Sequence, residues 1–142
     1  MADLLSWIEG DPVRFVVIVA AVLLFVRQLW RRLTRKYLPL SAADAAQRLD
    51  DGRTVFLDVR TGAELRSGII PAAQHVPKHL LRRRLADLEI SSDTPIVVYC
   101  QSGFRSAGAA RFLTRHGFSE VYNLQGGIAA WRAHNLPVSS DD

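Results

Sequence analysis

Cysteine and lysine are nearly missing from this chain of 142 residues, which has one cysteine, Cys100, and two lysines, Lys36 and Lys78. A single cysteine excludes an intrachain disulfide. No His/Cys cluster has ligand spacing, so no metal is expected, and nothing in the sequence calls for a cofactor. No internal repeat is visible. Aromatic residues are few, and glycine and proline are too ordinary in number for a disordered or fibrous chain. The length suits one ordinary domain plus a short extra element. Arginine's excess over lysine reads as genomic composition bias, not chemistry.

Charge of one sign is also missing from most of the chain. Residues 1–13 carry −3, from Asp3, Glu9 and Asp11. Residues 14–36 carry +6, from Arg14, Arg27, Arg31, Arg32, Arg35 and Lys36. The remaining 106 residues sum to only +1. A nucleic-acid-binding domain needs positive charge spread over a folded face, so no nucleic-acid partner is expected.

The basic segment surrounds an apolar run, FVVIVAAVLLFV (15–26). Asp11-Pro12 is a good helix start, because Asp accepts from unpaired backbone N–H groups and Pro suits the first helical position. A helix over 12–30 is about 28 Å long. Arg14 and Arg27 sit near its ends, where long side chains snorkel, and Trp7 and Trp30 are placed as interfacial anchors. A cleaved signal peptide fits poorly, since the start is acidic and RQLWRRLTRK follows. A core helix is an alternative, but the following domain looks complete without it. The expectation is a transmembrane helix in the inner (cytoplasmic) membrane, single-pass, N-terminus out, with the later residues in the cytoplasm. The domain plan is then a short extracytoplasmic start (1–11), the span (12–30), a basic juxtamembrane linker (31–38), a folded domain (39–138) and a tail (139–142). The linker cations suit anionic headgroups of the bilayer.

After a break at Pro39, short apolar runs alternate with amphipathic stretches. Helices are expected at 41–50 (Ser41 as N-cap), 61–68 (a turn or two closed by Gly68), 78–89 (with Leu80, Leu81, Leu85 and Leu88), 105–117 and 126–134. Strands are expected at 54–59, 73–77, 95–100 and 120–124. The strands are nearly continuous in apolar residues. That predicts an α/β fold with a mainly parallel sheet of roughly five strands, covered by helices on both faces.

Cys100 ends the strongest strand, and Gln101-Ser102-Gly103-Phe104-Arg105 leads into a helix of small residues. Lone cysteines are often inert, buried hydrophobes. Here the position argues otherwise. A strand-to-helix loop at the carboxyl end of a sheet aims its N–H groups at its own centre, with a helix N-terminus behind it. Such an anion nest lowers a thiol pKa. Gly103 allows a positive φ, and Arg105 brings a full charge if it folds over the loop.

These pieces resemble the single-domain rhodaneses, and the likeness covers 54–138. It rests on LDVR (57–60), Glu64, Gly68, IVVYCQSGFRS (96–106) and VYNLQGGIAAW (121–131), in that order. The apolar segment before them is similar to that of membrane-tethered bacterial members. One departure is Gly68-Ile69-Ile70, where the family often has Gly-His-Ile. The resemblance implies a Cys100 persulfide held in the six-residue loop from Cys100 to Arg105, with Gln101, Ser102, Gly103, Phe104 and Arg105 around the substrate. It implies that Asp58, Arg60 and Ser106 support the loop, with Glu64 in a similar part. The implied activity is ping-pong sulfur transfer from a small donor, thiosulfate or a persulfide, to a thiol or cyanide acceptor. A membrane-protein partner is a further expectation.

Two other classes compete. A cysteine phosphatase or arsenate reductase uses C-x5-R, but position 106 is Ser106 and Arg105 comes one residue early. A non-catalytic membrane-tethered interaction module would not need the intact loop. His75, His79, His116 and His134 read as structural. Arg82-Arg83-Arg84 reads as a solvated face, and Phe104 as either a rim or an inward-packed side chain.

Overall fold

The computed structural model describes residues 11–33 and 37–140, with the side chains of 31–33 left aside. The readings placed on Asp3, Trp7, Glu9, Arg35 and Lys36, and on the side chains of Arg31 and Arg32, lie outside the described residues. Two units separate, one carrying the first helix and the other the sheet.

The first unit holds α1, Pro12–Leu33, three residues longer than expected. Asp11 caps it, its Oδ1 accepting from the Val13 amide at 3.0 Å, and Arg14 pairs with the same carboxylate at 3.3 Å. Pro12–Trp30 is long and apolar enough to cross a membrane, and none of its side chains is buried.

The second unit is one five-stranded sheet. Its strands are β1 (Leu38–Leu40), β2 (Val55–Asp58), β3 (Gln74–His75), β4 (Ile96–Tyr99) and β5 (Val121–Leu124), in the order β1-β5-β4-β2-β3. All four pairings are parallel. The expected α/β architecture is present: a parallel sheet flanked by helices, with the apolar helix α1 earlier in the chain. The helices are α2 (Ala42–Asp50), α3 (Leu81–Arg84), α4 (Phe104–Arg115) and α5 (Gly127–Ala133). Ser41 caps α2 as expected, its Oγ accepting from the Asp44 amide at 3.1 Å.

Alternation along the strands divides the core in two. Leu57, Val59, Ile96, Val98 and Cys100 share one face with Ala109, Ala110 and Leu113 of α4. Phe56, Val97, Tyr99 and Leu124 share the other with Ala45 of α2 and with Ile128 and Trp131 of α5. The parallel register sets Asp58 beside Tyr99 and Val98 beside Asn123, so the strands end together at one edge of the sheet.

Two local readings change. Pro39, read as a break, lies inside β1. Proline lacks an amide donor, which an edge strand tolerates. The expected 78–89 helix is instead a 3-10 turn (Lys78–Leu80), the single turn α3, and a second 3-10 turn (Leu85–Leu88). Pro77 precedes it, Arg82–Arg84 are exposed, and only Leu81 is buried. The three-residue step from Leu85 to Leu88 suits 3-10 geometry, which sets i and i+3 on one side. The 61–68 segment holds its expected helical turns closed by Gly68, in 3-10 form over Gly62–Ser67, with Gly68 at φ 100°.

Candidate active site

Cys100 follows β4 directly and is 1% exposed. Its Sγ faces the Gly103 amide at 3.1 Å, the Ser106 amide at 3.4 Å and the Ser106 hydroxyl at 3.4 Å. Burial pushes the thiol pKa up. The Ser106 hydroxyl, then the amides of Ser106, Ser102 and Gly103, outweigh burial and leave it below the usual thiol value. The site stabilises a thiolate by oriented neutral donors.

The Ser106 hydroxyl has one proton and two neighbours. Its Oγ is 2.5 Å from Asn123 Oδ1. With Cys100 protonated, Ser106 donates to Asn123 and is free to accept from the thiol. An ionised Cys100 competes with Asn123 for that one proton. Asn123 also donates through Nδ2 to the Gly103 carbonyl at 3.1 Å, so it joins β5 to the loop.

The loop rests on the start of α5. The Ile128 amide donates to the Cys100 carbonyl at 2.9 Å and the Ala129 amide to the Gln101 carbonyl at 3.2 Å. This approach requires Gly127, where a Cβ would lie 2.4 Å from the Cys100 carbonyl oxygen. Gly103, at φ 92°, turns the chain into α4 with its own α-carbon close to the β5–α5 connection.

Two ion pairs stand around the loop. Asp58 and Arg60 are both fully buried and bond through Arg60 Nη2 to Asp58 Oδ2 at 2.7 Å, with Nε at 3.0 Å from both oxygens. Burial opposes the Arg60 charge, but Asp58 outweighs it and raises the pKa. The remaining guanidinium donors reach the carbonyls of Glu64 at 3.2 Å and Gly68 at 2.8 Å. The pair therefore fixes the 62–67 turn. Glu64 caps that turn through Thr61 and takes both Arg105 nitrogens, at 2.6 and 2.8 Å. Arg105 is thus paired with Glu64, and its charge is largely met there.

The side chains of the other sequence candidates do not contact the sulfur, although the Ser102 amide faces it. The side chains of Gln101 and Ser102 are exposed. Phe104 is 87% exposed, which settles its direction as outward. Ile69, where the family pattern often has His, forms an antiparallel bridge with Ser139, and the buried Ile70 amide donates to the Tyr99 hydroxyl at 3.1 Å. His75 contacts the Arg60 carbonyl, and His116 and His134 each contact a carbonyl one helical turn back. Among the described residues no group of three or more His, Cys, Asp or Glu could hold a metal ion. Sequence reasoning assigned no role to Asn123 or to Gly127. Their signal was present in NLQGG, where paired glycines open a helix.

Fold and site define a class: a parallel α/β domain with a cysteine in an amide-lined loop at the carboxyl edge of the sheet. The chain belongs to the rhodanese-like domain family, whose model matches residues 41–134. It is 43% identical over 100 residues to a sulfurtransferase of Allochromatium vinosum, covering 70% of this chain and 92% of that one. It is 24% identical over 139 residues to the protein YibN of Escherichia coli K12, covering 97% of each. A rhodanese-related protein from Thermoplasma volcanium matches in structure with a TM-score of 0.67 and 31% identity, over 74% of this chain and 100% of that one.

Because the Cys100 pKa is lowered, iodoacetamide alkylation should stay fast at pH values where free cysteine is mostly protonated. Ser106→Ala should move the midpoint of the alkylation profile upward. An unchanged midpoint would show that the hydroxyl does not stabilise the thiolate.

Glu64 is held down to about 2 from 4.5, chiefly by Arg105. A depressed carboxylate stabilises the fold above its unfolded pKa, and that contribution fades as pH falls from 4.5 towards about 2. Denaturation midpoints of the native chain and Glu64→Gln should therefore differ near neutrality and converge below pH 4.5. Parallel curves would refute this coupling.

Proposed function

We propose that this protein is a membrane-tethered sulfurtransferase that carries sulfane sulfur on Cys100. The observation that carries the reading is the ring of Gly103 and Ser106 donors on Sγ. In the first half-reaction the Cys100 thiolate attacks the outer sulfur of a donor such as thiosulfate. A new S–S bond forms, the donor's S–S bond breaks, and sulfite leaves with the electron pair. In the second, a thiol or cyanide acceptor attacks the terminal sulfur, and Cys100 departs as thiolate. The loop donors stabilise the anion at each stage, and no proton must cross the site if the acceptor arrives ionised.

The loop fits sulfur better than phosphate. A phosphatase loop needs its arginine at position 106, which here is a serine turned towards Sγ. The relatives named as sulfurtransferases support the same choice. Asp58, Arg60 and Glu64 act by positioning, through the 62–67 turn and Arg105.

For location, the proposal is the inner membrane, single-pass through 12–30, with the N-terminus out and the sulfur site in the cytoplasm. Support comes from the exposed apolar length of α1, the basic sequence that follows it, and an alignment with YibN long enough to include the apolar segment. The bilayer is the proposed contact of α1, and a membrane protein the proposed macromolecular partner.

Incubation of the native chain with thiosulfate, followed by intact mass measurement, should show the gain of one sulfur atom. Cys100→Ser should gain none. A native chain that stays unmodified by thiosulfate and by small persulfides overturns the transferase reading.

For topology, the folded domain should resist protease added to right-side-out membrane vesicles and be digested once they are opened. Digestion from outside would reverse the assigned orientation.

A further inference from the structure

Charge is unevenly divided over the folded domain. Residues 78–84 and 104–117 carry seven of the twelve basic residues of 37–142 and none of its eleven acidic ones. In the sequence these are two separate windows, but the fold sets them side by side. Leu81 packs in one cluster with Ala109, Ala110 and Leu113 of α4. The Lys78 Nζ lies 3.0 Å from the point a Cβ on Gly108 would occupy. The rest of the domain is net acidic, so its near-neutral total hides a cationic face.

Along α4, Phe104, Gly108, Arg111 and Arg115 recur at helical spacing and form one stripe about 16 Å long. Gly108 interrupts the stripe, and Lys78 supplies a cation there. Phe104, Arg111 and Arg115 are exposed, as are Lys78 and Arg82–Arg84 on the neighbouring segment. Arg105 is neutralised by Glu64. None of the other six cations has an ion-pair partner among the described residues. Like charges gathered in this way repel one another, and a partner of opposite sign removes that repulsion. A single exposed apolar residue is ordinary, but Phe104, 87% exposed, stands at the end of a cationic stripe. The combination suits a surface with anionic groups outside and an apolar layer beneath. Guanidinium groups bond phosphate oxygens in pairs. A membrane span in the same chain makes docking an intramolecular step, at an effective concentration of about millimolar for a short linker.

We propose that this face docks on the anionic phosphates of a lipid bilayer, with Lys78, Arg82, Arg111 and Arg115 on headgroups and Phe104 entering the interface. The inference rests on the membrane-span reading above and is independent of the sulfur chemistry. Each cation near an anionic surface strengthens association about fivefold. The attraction weakens as salt shortens the screening length, to about 3 Å at 1 M. Phe104 follows Gly103 in the Cys100 loop, so docking brings that loop to the headgroup layer.

The test uses the full chain in nanodiscs of phosphatidylcholine, alone or with about one-third phosphatidylglycerol. Acetylation of Lys78, followed by peptide mass, should run at least about fivefold slower in the anionic discs. Salt at about 1 M should abolish the difference. The double variant Arg111→Glu with Arg115→Glu should abolish it too. So should Arg82→Glu with Arg83→Glu, which keeps the test open where the first pair fails to fold. A difference that survives high salt or both double variants overturns the proposal. Slowing by single-stranded RNA, with none from anionic lipid, gives the face to nucleic acid and overturns lipid docking. Equal Lys78 rates in a chain that both kinds of disc retain overturn the docking and leave the span standing. A chain that neither disc retains loses the span and the docking together.

Discussion

A thiolate with 1% exposure has no bulk water to solvate it, so the protein must supply the donors. Much of the second unit follows from that constraint. Peptide planarity means that an amide N–H turned towards Sγ sends the carbonyl of the preceding residue outward. Those carbonyls must then be satisfied in their turn. Here the Gln101 carbonyl, which precedes the Ser102 amide, receives the Ala129 amide, and the neighbouring Cys100 and Gly103 carbonyls receive the Ile128 amide and Asn123. The donors inside the ring and those outside it are one system. It forces β5 and α5 close to the loop, and the glycines at 103 and 127 are where the backbones approach most nearly.

The ring uses dipoles in place of a counter-ion, and the charges nearby are arranged to agree with that. Arg60 is held by Asp58 and spends its other donors on two carbonyls of the 62–68 segment. A buried pair of this kind adds little net stability, since desolvation offsets most of the attraction, but removing one partner leaves a buried charge at a cost of about 3–5 kcal/mol. Its effect is to hold one geometry, and that geometry presents Glu64 to Arg105. Neutralised by Glu64, Arg105 closes the loop's far end mechanically. The thiolate thereby keeps its stabilisation from short, directional bonds, which salt screens less than it screens exposed charges.

What could be read from the sequence was what is local along the chain. The alternation of strand and helix, the Ser41 cap and the run from Cys100 to Arg105 all lie within short windows. Their physical causes, periodicity and N–H direction, act within a few residues. The pairing of Arg105 with Glu64 spans 41 residues, and that of Asn123 with Ser106 spans 17. No local pattern reports such a contact. Asn123 looked like one polar residue in a strand, and its meaning came from the register that sets it beside Val98 on the Cys100 face. β1 was missed because three residues show no period and Pro39 resembles punctuation. The 78–89 segment was misread because its leucines satisfy helical spacing and 3-10 spacing almost equally. Burial of Leu81 alone, with arginines after it, decided between them.

Under the proposed chemistry, the same lowered thiol pKa acts in both halves of the cycle, and not in the same direction. Stabilising the thiolate increases its population at neutral pH but reduces its intrinsic reactivity, since nucleophilicity falls with pKa. In the discharge step Cys100 is the leaving group, and there a lower pKa only helps. A ring of amides that lowers the thiol pKa therefore favours release at least as much as capture. The Ser106 hydroxyl is a shared donor in this ring. Its Oγ lies 3.4 Å from Sγ and 2.5 Å from Asn123 Oδ1, so the sulfur shares its one proton with Asn123 and depends mainly on the backbone amides. Under that chemistry the site favours passing sulfur on over storing it.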